Sequence, residues 1–366
     1  MAHLHSLFLK PSLRCTARCD HCGPRRAFYR TRTGNTLTLN DYRGIIREAK
    51  SLGAESLHIS GGEPTLYPQL AELVSEGRRA HMFTVLNTNG SLVTRDYARD
   101  LLKCGLDSSI LSLHSHRRGR HDSIRKREGN FDEVINAVNV FRELRDMSHP
   151  RFIISTQTIV TRSNYVDLPG IIDLVCGLDV DAHGISYLEG DFGLEDTPTV
   201  DDIAVLRDII IPDVVRRLGR HKFKNLVLRY AAIRLVSGLY GGDSGRRQRM
   251  SAGVFSPNGT HGRCRTPKGF MMILADGSAL PCNMVEYTGG PVLGNVHEKG
   301  LQGIIDSPSW RSFIAAGFEY CRYCPTHLHF HIPISTSLRK ILPLLVKNPA
   351  YEQKSIAGRI REALWQ

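Results

Sequence analysis

The chain has 366 residues, a hydrophobic fraction of 41% and a formal net charge of +12, which together allow a packed core with more than one domain and exclude a wholly disordered polypeptide. No apolar run reaches the length of a membrane span, and residues 1–10 are too short and polar for a secretory signal, so a cytoplasmic protein is expected. The positive charge permits phosphorylated or nucleic-acid partners. It falls, however, in separate clusters (Arg25, Arg26, Arg30 and Arg32; Arg117, Arg118 and Arg120; Arg246, Arg247 and Arg249) that read as solvated faces, so nucleic acid is not favoured.

From residue 5 to about 218, apolar strand-like runs alternate with amphipathic helical stretches, the rhythm of βα units on a parallel sheet. Strands are expected at 6–10, 56–60, 82–87, 109–114, 152–160 and 182–188, with helices at 39–52, 68–76, 94–103, 131–145, 165–176 and 200–218. Six units fall short of the eight that close a TIM barrel, so the expected fold is α/β, a partial (β/α)6 TIM-like barrel over 1–218 with an open side for substrate. Residues 219–258 read as a glycine-rich connector, partly helical over 226–239. A small cysteine-rich domain of short strands and turns is expected over 259–331, and a helical tail interrupted by prolines over 332–366.

Nine cysteines in a chain of this kind read as metal ligands in preference to disulfides. Cys15, Cys19 and Cys22 fall within eight residues of one another. Three such thiolates leave one iron of a four-iron cube without a protein ligand. His21 could instead complete a zinc site of three cysteines and one histidine, and spacing alone leaves iron and zinc open. Cys264, Cys282, Cys321 and Cys324 can ligate a second centre fully, where a zinc ribbon and an iron–sulfur cluster again stay open. Cys104 and Cys176 close helices at the face away from the expected site and read as buried small apolar residues.

Polar residues gather where the strands end, which in a βα barrel is where chemistry occurs. After the second strand comes Gly61-Gly62-Glu63-Pro64, whose glycines let backbone groups approach a ligand and whose carboxylate can accept from an ammonium group. Asn87-Thr88-Asn89-Gly90 follows the third strand and Ser112-Leu113-His114-Ser115 the fourth; His121-Asp122-x-x-Arg125 then leads to Gly129-Asn130-Phe131. Gln157, Arg162, Tyr187 and Glu189 stand at the ends of strands five and six, where substrate hydrogen bonding would occur. Arg25-Arg26-Ala27-Phe28-Tyr29-Arg30, after the first cysteines, could meet a phosphate or carboxylate, and His327, His329 and His331 alternate like a strand face.

With Cys15, Cys19 and Cys22 after the first strand, these motifs in this order resemble the radical S-adenosylmethionine (SAM) superfamily. The resemblance implies that the unique iron chelates the amine and carboxylate of SAM, that Gly61, Gly62 and Glu63 hold the methionine amine, and that Asn87, Asn89, Ser112 and His114 contact ribose and carboxylate. It further implies that one electron, from a donor such as flavodoxin or ferredoxin, cleaves SAM to a 5′-deoxyadenosyl radical that takes a hydrogen atom from a substrate carbon. Cys264, Asp276-Gly277, Pro281-Cys282, Gly294-Asn295-Val296 and Cys321-x2-Cys324 resemble the twitch form of the SPASM domain, which implies one auxiliary [4Fe-4S] cluster.

A fully ligated second cluster would pass electrons, which favours oxidation of the substrate. The first strand begins near residue 6, leaving no room for a preceding peptide-recognition domain, and this tilts the expectation toward a sugar, aminocyclitol or nucleoside substrate. A peptide or protein maturase, a radical epimerase and a zinc- or nucleic-acid-binding protein are the alternatives.

Overall fold

A computed structural model describes residues 4–19, 21–22, 37–187, 196, 198–220, 269–283, 285 and 290–316. Strands and helices alternate from the start: β1 (Ser6–Ser12), α1 (Leu39–Ser51), β2 (Ser56–Gly61), α2 (Leu70–Arg79), β3 (Phe83–Thr88), α3 (Arg95–Cys104) and β4 (Ser108–Ser112). Then come α4 (Arg118–Arg125), α5 (Asn130–Ser148), β5 (Ile153–Val160), α6 (Leu168–Gly177) and β6 (Ala182–Tyr187). α7 (Val200–Val205) runs through a π turn at Leu206–Ile210 into α8 (Ile211–Arg220). All six expected strands are present, each within two residues of its expected limits.

Local chemistry explains the helix starts. Thr38 and Asp41 form a reciprocal capping box on α1, and Thr94 caps α3. Along α1, Tyr42, Ile45, Ile46 and Ala49 recur at helical spacing and are buried. The α5 start is fastened from a distance: the Asp122 carboxylate accepts the Gly129 and Phe131 N–H groups at 2.9 and 2.8 Å. The α4 helix was not expected from sequence, because its exposed face is arginine-rich and only His121, Ile124 and Arg125 are buried.

Strands β1 to β6 pair in parallel, in sequence order. Alternation divides their side chains between two faces. Leu7, Leu9, Leu57, Ile59, Leu86, Leu111 and Ile154 join the main core with the helices. One residue out of phase, Phe8, Phe270, Met272 and Leu274 form a second apolar set. The Phe8 ring stacks on His58 at 4.2 Å and leans on Phe270 at 4.5 Å.

The described part of the cysteine-rich segment is built onto the main sheet. Its first strand, β7 (Phe270–Leu274), pairs in parallel with β1, Ser6 opposite Phe270 and Lys10 opposite Leu274. β8 (Ser278–Leu280) and β9 (Gly294–Asn295) then extend the sheet antiparallel, giving the order β6-β5-β4-β3-β2-β1-β7-β8-β9. The reason is composition: every residue of β7 is apolar and buried, so the strand needs cover on both faces, which an interior place in a sheet provides. The order is linear, so the described sheet is an open partial barrel. Two helices, α9 (Val296–Ile305) and α10 (Pro308–Ala316), follow where only strands and turns were expected. Of the expected connector and tail, residues 221–258 and 332–366 lie outside the described residues.

Gly300 adopts a φ of +61° within α9, and the residues beyond it take their cap from α1, 250 residues earlier. The Glu48 carboxylate accepts the Leu301 and Gln302 N–H groups, each at 2.9 Å. Glu48→Ala should lower the unfolding free energy by about 1–2 kcal/mol, read by urea denaturation, with Glu48→Gln intermediate.

Candidate active site

β1 hands the chain directly to the loop bearing Cys15, Cys19 and Cys22. Two backbone donors hold its start: Gly62 N–H to the Ser12 carbonyl at 2.8 Å and Glu63 N–H to the Arg14 carbonyl at 2.7 Å. Side chains would prevent this approach. A Cβ at position 61 would lie 2.4 Å from the Ser12 carbonyl oxygen, and one at 62 would lie 2.3 Å from that of Arg14. On the opposite flank, Arg18 N–H donates to the Arg125 carbonyl at 2.9 Å and the Arg127 guanidinium to the Thr16 carbonyl at 3.3 Å. Cys22 N–H donates to the Cys19 carbonyl at 3.2 Å and closes the loop into a turn.

The donor set fits an iron–sulfur cluster. The Ala17 N–H approaches Cys15 Sγ at 3.4 Å and Asn89 Nδ2 approaches it at 3.6 Å, contacts suited to a thiolate sulfur. Burial and the neighbouring Cys19 thiol push Cys22 up to about 11, while the charges of Lys10 and Arg125 pull it down. Metal binding therefore has to displace a proton there. Among the described residues, no three His, Cys, Asp or Glu side chains converge on one ion's position. A four-iron cube has no such requirement, because it presents a different iron to each thiolate.

Glu63 is 1% exposed and its carboxylate fastens strand ends together. Oε1 accepts the Thr65 N–H at 3.1 Å and the Thr65 and Thr88 hydroxyls at 2.7 Å; Oε2 accepts Asn89 N–H at 2.8 Å. Asn89 passes the connection on to the loop, donating Nδ2–H to Thr16 Oγ1 at 2.9 Å. Asn87 stands on the face of β3 opposite Thr88, and its Oδ1 is buried with no donor among the described residues. Ser112 ends β4 in register with Gln157, whose Nε2 donates to Ser186 Oγ at 3.1 Å.

His114 is buried and held neutral: burial lowers its pKa well below the usual range, and the charges of nearby His21 and Arg125 add to the effect. Ile159 N–H addresses Nδ1 at 3.2 Å and Arg125 Nη1 addresses Nε2 at 3.3 Å. A neutral ring has one acceptor nitrogen, so it satisfies one of these donors. Arg125 is itself buried, its Nε on Asn130 Oδ1 at 3.3 Å, and among the described residues no carboxylate pairs with it. Arg125 stands in the His121-Asp122-x-x-Arg125 motif with no role assigned from sequence; its signal is burial without a carboxylate among the described residues, which sequence does not display.

Other expected residues separate. Arg162 lies 3.5 Å from Asp202 in an ion pair, and Cys104 and Cys176 are partly buried against the core, with burial raising the Cys176 thiol to about 11. Cys282 is buried just after β8, in the apolar set with Phe8, Phe270 and Leu274. Cys264, Cys321, Cys324, Glu189, Arg25 to Arg30, His327, His329 and His331 lie outside the described residues.

Family comparison bears on this arrangement. Residues 9–169 match the radical SAM superfamily and residues 264–325 the iron-sulfur cluster-binding SPASM domain. The chain thus carries a radical SAM domain followed by a SPASM domain. The radical SAM core binds SAM and a [4Fe-4S] cluster, and the SPASM domain binds auxiliary iron–sulfur clusters. Similar relatives include the Fe-coproporphyrin III synthase of Methanosarcina barkeri, 31% identical over 44% of this chain and 38% of its own length. The PqqA peptide cyclase of Bradyrhizobium diazoefficiens is 27% identical over 48% of this chain and 44% of its own. The chain thus spans less than half the length of these curated relatives. Among solved structures, Streptococcus suis SuiB bound to its precursor peptide SuiA superposes with a TM-score of 0.63 at 19% identity, over 88% of this chain and 70% of SuiB. The structure of anSMEcpe with bound AdoMet reaches 0.63 at 16% identity, over 94% and 98% of the two chains; at these identities the likeness is one of fold. No helix among the described residues is long and apolar enough to cross a membrane.

If the glycines hold the radical SAM loop in place, Gly62→Ala should lose most of its cluster iron after anaerobic reconstitution. Gly44→Ala serves as the control, since a Cβ there meets nothing within 4 Å.

Proposed function

We propose that the protein cleaves SAM reductively and uses the resulting radical to oxidise a carbon of a small, hydroxyl-bearing molecule of sugar, aminocyclitol or nucleoside type. The observation that carries the oxidative reading is the direct pairing of β1, which leads into Cys15, with β7, whose hairpin leads to Cys282. Cys282 follows β8, which pairs antiparallel with β7, so an auxiliary cluster there would share one sheet with the radical site and would take the electron of a substrate radical across β7. The cluster at Cys15, Cys19 and Cys22, when bound, supplies one electron to the sulfonium and releases the 5′-deoxyadenosyl radical.

The chain's own residues bind and orient. The backbone of Gly61 and Gly62 and the remaining acceptor capacity of Glu63 Oε2 would take the methionine ammonium group. The guanidinium of Arg125, with no carboxylate partner among the described residues, is suited to the methionine carboxylate, with neutral His114 and Ser112 beside it. Asn87 Oδ1 and Asn89 would meet the ribose. For the substrate, the faces of β4 to β6 shared with Asn87 offer Ser112, Ser155, Gln157 and Ser186, hydroxyls and an amide that match neutral hydroxyl groups. The external donor would be a flavodoxin or ferredoxin. A peptide substrate is the second reading, supported by the PqqA peptide cyclase relatives.

Cys19→Ala should abolish release of 5′-deoxyadenosine from SAM in the reduced, reconstituted enzyme. Cys282→Ala should retain measurable cleavage and form no oxidised product. Retained cleavage in the first variant sinks the radical assignment, and equal loss in both sinks the conduit role. Deuterium moving from a labelled cyclitol or sugar into 5′-deoxyadenosine would identify the substrate class, whereas transfer only from labelled peptides would replace it.

A further inference from the structure

Asn130 opens α5, is fully buried, and places its side chain between two charges of opposite sign. Oδ1 accepts the Arg125 Nε–H at 3.3 Å, while Nδ2 donates to Glu133 Oε2 at 2.9 Å and to the Asn89 carbonyl at 3.2 Å. Its neighbours fix which way the amide points. The His114 backbone N–H donates to His121 Nδ1 at 3.2 Å, so that nitrogen is an acceptor and the proton of the neutral ring lies on Nε2. Burial keeps the ring neutral, with the charge of Arg125 adding to the effect and lowering it to about 4. Nε2–H then donates to Asn130 Oδ1 at 3.3 Å, beside the Arg125 donor. Oδ1 thus takes two N–H groups and Nδ2 gives both of its own, which uses the whole capacity of the side chain; a flipped amide would set donors against donors.

A buried guanidinium is ordinarily met by an acid. Arg125 is met instead by the neutral oxygen of Asn130 and by neutral His114, each at 3.3 Å. The carboxylate next along, Glu133, is already held by Arg127, Nε to Oε2 at 2.8 Å and Nη2 to Oε1 at 2.6 Å. The amide of Asn130 therefore stands as a spacer between that ion pair and Arg125: it orients the guanidinium and leaves its charge uncancelled.

We infer that Asn130 is a positioning residue for SAM recognition, whose neutral amide aims the Arg125 guanidinium while reserving its charge for the methionine carboxylate. This rests on the assignment of Arg125 to that carboxylate. An aspartate at position 130 would offer Arg125 the same acceptor together with a negative charge, and the pair so formed would compete with the carboxylate of the ligand. The ammonium and ribose contacts are made by other residues, so the penalty falls on the carboxylate alone.

The test compares the binding of SAM and of decarboxylated SAM, the same sulfonium without its carboxylate, to reconstituted full-length protein by equilibrium dialysis at equal iron content. Wild type should prefer SAM, and Arg125→Gln sets the size of the preference that depends on the guanidinium. In Asn130→Asp the preference should fall about tenfold, the order expected when one charge-assisted contact is given up, with the affinity for decarboxylated SAM close to that of wild type. That substitution also removes the donor to Glu133 and brings two carboxylates together. Asn130→Asp combined with Glu133→Gln relieves both effects, because the glutamine amide can donate to the new carboxylate, and the same fall is expected. An unchanged preference in the double variant overturns the inference. Equal weakening of both ligands would make Asn130 a support of the fold and would overturn it as well. Failure of the underlying reading is distinct, because Arg125→Gln would then keep the wild-type preference.

Discussion

At the end of β1, two carbonyl oxygens point at the backbone of the next strand, and the remaining geometry follows from how closely that backbone can come. Ser12 and Arg14 accept N–H groups from Gly62 and Glu63 at hydrogen-bonding distance, with no room for a Cβ at either glycine. This fixes where the cysteine loop starts. Glu63 then transmits the position of that contact to β3 through Thr88 and Asn89, and Asn89 returns to the loop at Thr16. The loop is thus triangulated by three successive strand ends, and Arg125 and Arg127 brace it from α4 and the turn that follows.

Glu63 shows how one side chain can carry two kinds of work. A buried carboxylate is tolerated because hydrogen-bond donors replace its water. Three of those donors converge on Oε1 and one on Oε2, an asymmetry that leaves acceptor capacity on a single oxygen. Nearby, Arg125 and the Ile159 N–H compete for the one acceptor nitrogen of neutral His114, and among the described residues no carboxylate pairs with the guanidinium. The two sides of the site thus carry opposite charges, a carboxylate beside the glycines and a guanidinium at the end of α4.

Much of the fold was legible in the sequence because its strands are continuous β-branched and aliphatic runs separated by helices with clear periods. Cysteine spacing and the glycine pair located the first site for a similar reason, since each depends on local order along the chain. What was not legible depends on non-local pairing. Nothing in Phe270 to Leu274 says that its neighbour is β1, and treating the cysteine-rich segment as self-contained missed the shared sheet. Helix α4 escaped because its arginines hide a narrow buried stripe, and α9 because Gly300 breaks its pattern while Glu48 supplies the missing cap from far away. Arg125 was visible as a letter in a motif; that it is a buried charge with no acid partner among the described residues became clear only in three dimensions.

The pairing of β1 with β7 also has a bearing on biogenesis. During synthesis β1 can acquire β2 within some fifty residues, yet its other edge has to wait for a strand that begins at Phe270. For most of translation that edge presents open hydrogen-bonding groups next to the cysteine loop, a template for mispairing with other nascent chains. Such long-range closure is slow and ties the first and last parts of the sheet into one cooperative event.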